Sequence, residues 1–149
     1  MGRNVSITRA RIWFCSARIG AHSAAVQNPR NLRIYGQALD MAMTVYRLTG
    51  SFPTEERYGL VSQMRRAAVS VGSNIAEGCG RNGNRALIAA LHHALGSLDE
   101  LEFQAELSRR LGICPATMLE NAIQEMVSMR RAVAAMIAAL RKRPDVADR

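Results

Sequence analysis

The sequence predicts an all-α protein, an antiparallel up-down-up-down four-helix bundle, and three observations carry that prediction. Four segments hold apolar residues at steps of three and four, the spacing that keeps one face of a helix on a core. Turns bearing glycine or proline separate those segments. No run alternates apolar and polar residues between turn signals, so no strand is predicted. The 149 residues suit one domain, and short connections make successive helices antiparallel neighbours.

The first predicted helix runs from about Leu32 to Thr49, with Tyr35, Ala38, Ala42, Val45 and Leu48 inward, Asn31 as cap and Gly50 as stop. Pro53 then fixes a turn, and Thr54, Glu55 and Glu56 supply a cap and first-turn acids for the second helix. That helix carries Leu60, Met64, Ala67, Val71, Ile75 and Gly78 on one stripe and Ser62, Arg66, Ser70, Ser73 and Glu77 on a second, polar stripe. Gly78, Gly80 and Gly83 are expected to end it, since three glycines in six residues disfavour helix interior. The third helix spans about Asn84 to Leu111, with Leu87, Leu91, Ala94, Leu98, Leu101 and Ala105 inward and Gly112 closing it. Pro115 opens the fourth, where Leu119, Ala122, Met126, Met129, Val133, Met136 and Leu140 form a heptad-like seam.

Charge divides the chain. Residues 1–30 hold five arginines and no acid, giving +5 of the net +8. They are expected to form a disordered or loosely structured basic leader, or to reflect an upstream start codon; their Arg- and Ser-rich composition also resembles a mitochondrial transit peptide. The bundle is assigned to residues 31–143 and a tail to 144–149. Three scattered cysteines, Cys15, Cys79 and Cys114, suit a reducing cytoplasm. No apolar run reaches the ~18 residues of a membrane span, so no membrane contact is expected.

Chemical motifs are sparse. Gly78-Cys79-Gly80-Arg81-Asn82-Gly83 satisfies G-x-G-x-x-G, but a helix precedes it where a dinucleotide site requires a strand. It reads better as an interhelical turn, at which Arg81, Arg85 and free N–H groups favour an anion. His92 and His93 point about 100° apart on a helix and do not share a metal in the i, i+4 manner. Cys79 has no visible base partner for nucleophilic chemistry. The sequence therefore predicts no catalytic residue, no metal site and no cofactor.

The basic residues remain. Arg65, Arg66, Arg81, Arg85, Arg130 and Arg131 carry planar guanidinium forks that suit phosphate. Asp99, Glu100, Glu102 and Glu106 are equally able to pair with them, within one chain or across an oligomer contact. Few aromatics are present and no stacking set is visible along the chain, so base readout on an aromatic platform is not expected.

The motifs YGL-x-SQ-x-RRAA-x-S, SNIAEG-x-GR and A-x-GS-x-x-ELE occur in order between Tyr58 and Glu102. In these the chain resembles the bacterial four-helix-bundle family encoded in intervening sequences of 23S ribosomal RNA genes, which includes the accessory variability proteins of diversity-generating retroelements. The resemblance covers Asn31 to Gly112 and, more loosely, the last helix. It implies a ring-like homopentamer without enzyme activity that binds nucleic acid, and in the retroelement branch works beside a reverse transcriptase. The matching positions are Tyr58, Ser62, Gln63, Arg65, Arg66, Ser70, Ser73, Asn74, Glu77, Gly78, Gly80, Arg81, Gly96, Ser97, Glu100 and Glu102. Two departures stand out: Gly72 replaces the family's proline, and Leu87 and Ala90 occupy a region where the family favours an aromatic residue.

The expected function is a non-catalytic, cytoplasmic homo-oligomer that contacts RNA or DNA phosphates through the six arginines. Ser62, Ser70, Ser73, Asn74, Glu77, Asp99, Glu100 and Glu102 are the expected oligomer or partner contacts. The alternative is a protein–protein adaptor serving a partner such as a reverse transcriptase.

Overall fold

A computed structural model describes residues 33–81 and 83–142. The expectations for the leader and the tail lie outside these residues. Four helices account for the fold: α1 Arg33–Thr49, α2 Leu60–Gly80, α3 Asn84–Leu111 and α4 Ala116–Arg141. A short 3-10 helix, Thr54–Tyr58, joins α1 to α2. Each helix packs on its sequence neighbours, and α1 also meets α4, which closes the bundle.

Side-chain pairs fix the antiparallel order. Arg65 of α2 bonds Thr49 of α1, Ser70 of α2 meets Ser97 of α3, Arg130 of α4 reaches Asp99 and Glu102 of α3, and Thr44 of α1 bonds Glu125 of α4. The core is a continuous apolar cluster in which Met41, Leu48, Met64, Ile75, Leu91, Leu98, Leu101, Leu119, Met126 and Met129 are nearly inaccessible. Each such side chain contributes about 1.5–3 kcal/mol through its removal from water. All six residues expected inward on α3 are buried, and on α4 Ile137 takes the fully buried place expected of Met136, which is half-buried.

Three local expectations are corrected. On α1 the buried face is Ile34, Ala38, Met41, Val45 and Leu48, while Tyr35 and Ala42 sit half-exposed at its edge. Thr54 makes no cap hydrogen bond; Glu56 instead reaches forward and its Oε2 accepts the Leu60 N–H at 3.0 Å, so α2 begins after Gly59. α2 does end within the glycine cluster, but later than its first glycine: Gly78 is still helical and buried, and Gly80 is the last helical residue. At Gly78 the reason is close approach. A Cβ there would lie 2.7 Å from Ala90 Cβ and 2.9 Å from Leu87 Cδ1, so glycine lets α3 fold back directly onto α2. The turn itself uses Gly83 at φ 92°, and the other end of α3 closes on Gly112 at φ 64°, both left-handed conformations natural to glycine.

Candidate nucleic-acid interface

The polar stripe of α2 divides between two surroundings. Ser70 turns toward α3, where its hydroxyl lies 2.9 Å from that of Ser97. Ser97 already donates to the His93 carbonyl and Asn74 donates to Ser70, so Ser70 supplies the proton of the shared bond. Arg66 reaches Glu100 of α3 at 3.5 Å while remaining exposed. Ser62, Ser73 and Glu77 face solvent, and Glu77 pairs with Arg81 one turn on.

The predicted acids of α3 form an intrachain row. Asp99 and Glu102 both hold Arg130, whose side chain is only 33% exposed. Hydrogen bonding from Glu102 foremost, with Asp99, raises the Arg130 pKa against the opposing effect of partial burial. Glu106 binds Arg109 and Arg110, and hydrogen bonds from those two guanidinium groups lower its pKa to about 2. Of the other predicted arginines, Arg85 has an interaction within the chain, and Arg131 is exposed with no ion pair among the described residues. The six therefore do not converge: they occupy the α1–α2 seam, the α2–α3 turn and the outer part of α4.

At the α1–α2 seam the structure assembles a set that the order of residues along the chain conceals. Tyr46, Arg57, Tyr58, Ser62, Arg65 and Arg66 surround an open depression of about 520 Å³, floored by Val61 and Val69, and no acid lines it. Tyr58 is 89% exposed at the end of the 3-10 helix. Arg65 lies with its guanidinium carbon 4.7 Å from the centre of the Tyr46 ring, while its Nε donates to Thr49 Oγ1 at 2.9 Å. The cation–π contact and the hydrogen bond together fix the arginine and the ring. This corrects the expectation that no aromatic surface set exists. Arg57, Tyr46 and Tyr58 are the residues missed, and the available signal was that both tyrosines fall off the inward stripes.

A second depression, of about 410 Å³ between α1 and α4, is balanced in charge, since both Arg47 and Glu125 line it. Thr44 donates to Glu125 at 2.9 Å, Arg47 donates to Thr44 at 2.8 Å, and Glu125 leaves a buried Oε2 without a hydrogen-bond partner among the described residues. A phosphate there would meet a carboxylate. Elsewhere, Cys79 is buried and its thiol pKa is raised by that burial, the opposite of an activated nucleophile. Among the described residues no His, Cys, Asp and Glu cluster is arranged to hold a metal, and no helix is long and apolar enough to cross a membrane.

The profile of the 23S rRNA-intervening sequence proteins matches residues 30–135, most of the chain and nearly all of the bundle. The protein belongs to this family. Among solved structures, it is similar to a protein of unknown function from the S23 ribosomal protein family of Bacteroides thetaiotaomicron. The TM-score is 0.65 at 21% identity, over 70% of this chain and 97% of the other, a likeness that establishes the shared fold. No curated protein sequence matches significantly. The match thus takes in α1 to α3 and α4 as far as residue 135, and residues 1–29 and 136–149 fall outside it.

Proposed function

We propose that this family member is a non-catalytic, cytoplasmic homo-oligomer that binds RNA or DNA phosphates through arginines with little sequence preference. One observation carries the reading: Arg57, Arg65 and Arg66 gather around a depression whose lining contains no acid. A phosphate backbone is attracted to such a surface wherever its bases point. Arg130 and Arg81 contribute less, because each holds a carboxylate closely, whereas Arg66 meets Glu100 only at 3.5 Å and its side chain stays 69% exposed.

Self-association draws support from α3. Phe103, Leu107 and Leu111 recur every four residues on its outer face and are exposed, with Phe103 at 69%. Gly96 lies on the same face with nothing near its missing Cβ, leaving room for another backbone. The resemblance to ring-forming relatives makes a pentamer the expected assembly. The same stripe favours the second reading, an adaptor that holds a reverse transcriptase. Loss of such a partner on Phe103→Asp, with oligomer mass unchanged, would support the adaptor over self-association.

Titration of a structured RNA at several salt concentrations tests the main reading. Affinity should fall linearly with salt on logarithmic axes, and Arg57→Ala combined with Arg66→Ala should weaken it while helicity and mass stay constant. Salt-independent affinity, or no binding at low salt, would contradict it. Mass measurement of the purified chain tests the assembly: a multiple of 16.3 kDa is expected, and a monomer would contradict it.

A further inference from the structure

We propose that the depression at the α1–α2 seam seats an unpaired stretch of RNA or DNA, with a base stacked on Tyr58 and the flanking phosphates on Arg57 and Arg66. This rests on the nucleic-acid reading above and goes further, since phosphate contacts alone do not distinguish single strands from duplexes.

The distinction comes from the tyrosines. Tyr58 holds an aromatic ring 89% exposed, at the rim of a hollow that also contains Tyr46. A duplex keeps its base faces stacked on one another and presents only edges, whereas a single strand can offer a face to a protein ring. The apolar floor of Val61 and Val69 suits a base or sugar, and the rim arginines suit the charge on either side of it. Arg65 has a different part: lodged over Tyr46 and bonded to Thr49, it holds that ring in place as a positioning residue. The volume of about 520 Å³ lies within the range of small-ligand pockets. It is large enough for a nucleotide or two. At the glycine turn Arg81 already holds Glu77, and the α1–α4 depression sets Glu125 beside Arg47.

The test measures fluorescence anisotropy of the full chain with labelled oligouridine RNA, oligothymidine DNA and a duplex of equal length, in low salt. Wild-type protein should prefer the single strands, and comparing uridine with thymidine shows whether the sugar matters. Tyr58→Ala should lower single-strand affinity about 5- to 160-fold, the range for losing one base–aromatic stack. Duplex affinity should change less than twofold. Tyr58→Phe should restore single-strand binding, because it keeps the ring and removes only the hydroxyl. The logarithmic salt slope for the single strand should be about 1.4 in magnitude, as expected for Arg57 and Arg66 each displacing about 0.7 counterion, and Tyr58→Ala should leave it unchanged. Equal affinities for single strand and duplex, or a neutral Tyr58→Ala, would overturn this proposal while the broader reading survives. Absence of binding to all three nucleic acids would overturn both. If Tyr58→Ala instead dissociates the oligomer, the face is a subunit contact and the proposal fails.

Discussion

The two flanks of α2 are built from similar residues and put to opposite use. Toward α3 the contacts lie within the chain: Ser70 bonds Ser97, and Gly78 admits Leu87 and Ala90 at a distance no other residue allows, while the exposed Arg66 reaches Glu100 from the edge of the hollow that it also lines. Toward α1 the fit is looser. Gly72 would carry a Cβ at an ordinary 3.7 Å from Ala38 Cβ, and farther out Tyr46, Tyr58, Arg57 and Arg65 surround an open hollow. A closed flank sets the fold and an open flank is free to bind. The difference arises because α3 sets Ser97 and Glu100 opposite α2, whereas α1 sets Tyr46 there.

Substitutions separate the flanks, beginning with the largest effect. Gly78→Val should destabilise the bundle by about 2–3 kcal/mol, the scale of overpacking a tight contact, measured as a lower denaturant midpoint. Arg130→Ala should cost about 1–2 kcal/mol, less than a fully buried pair because a third of the side chain is exposed. Its single-strand affinity should stay within twofold of wild type. A larger loss of binding would move the interface toward α4. Gly72→Ala should raise stability by about 0.5–1 kcal/mol, since α2 is continuous there and the added methyl group meets only ordinary contact. If it destabilises instead, the α1 flank is as tight as the α3 flank.

The smallest effect concerns pH. Glu106 has its pKa lowered from 4.5 to about 2, so its bonds to Arg109 and Arg110 stabilise the fold above pH 4.5 and are lost as pH falls toward 2. Glu106→Gln should therefore be slightly less stable than wild type at neutral pH, with the difference vanishing toward pH 2 in acid unfolding. A difference that persists unchanged at pH 2 would assign the effect to packing.

The bundle was legible because the inward residues of α3 and α4 recur at unbroken steps of three and four, and Gly112 and Pro115 mark the turn between them. On α1 the register was harder to read. Leu39, Met43 and Tyr46 are apolar or aromatic yet exposed beside the buried stripe, so periodicity alone did not choose Ile34 and Met41 over Tyr35 and Ala42. The start of α2 was misplaced because Thr54 to Glu56 carry every sign of a helix opening, but Gly59 interrupts after one short turn. The candidate interface was hidden for another reason. Tyr46 and Tyr58 stand twelve residues apart on different elements, and only the return of α2 along α1 brings them to one hollow. Ser62 to Glu77 looked like one face because their spacing is uniform. Ser70 and Arg66 lean to α3 while Ser62 opens to the hollow, a division that depends on where the neighbouring helices lie.

Photo-crosslinking of the full chain to a single-stranded RNA carrying 4-thiouridine, read out by peptide mass spectrometry, tests the open flank most directly. Crosslinks should concentrate on Tyr58 and Tyr46 and on the peptides bearing Arg57 and Arg66. Crosslinks confined to the glycine turn at Arg81 and Arg85, or to Arg130 and Arg131 on α4, would contradict the assignment of this surface.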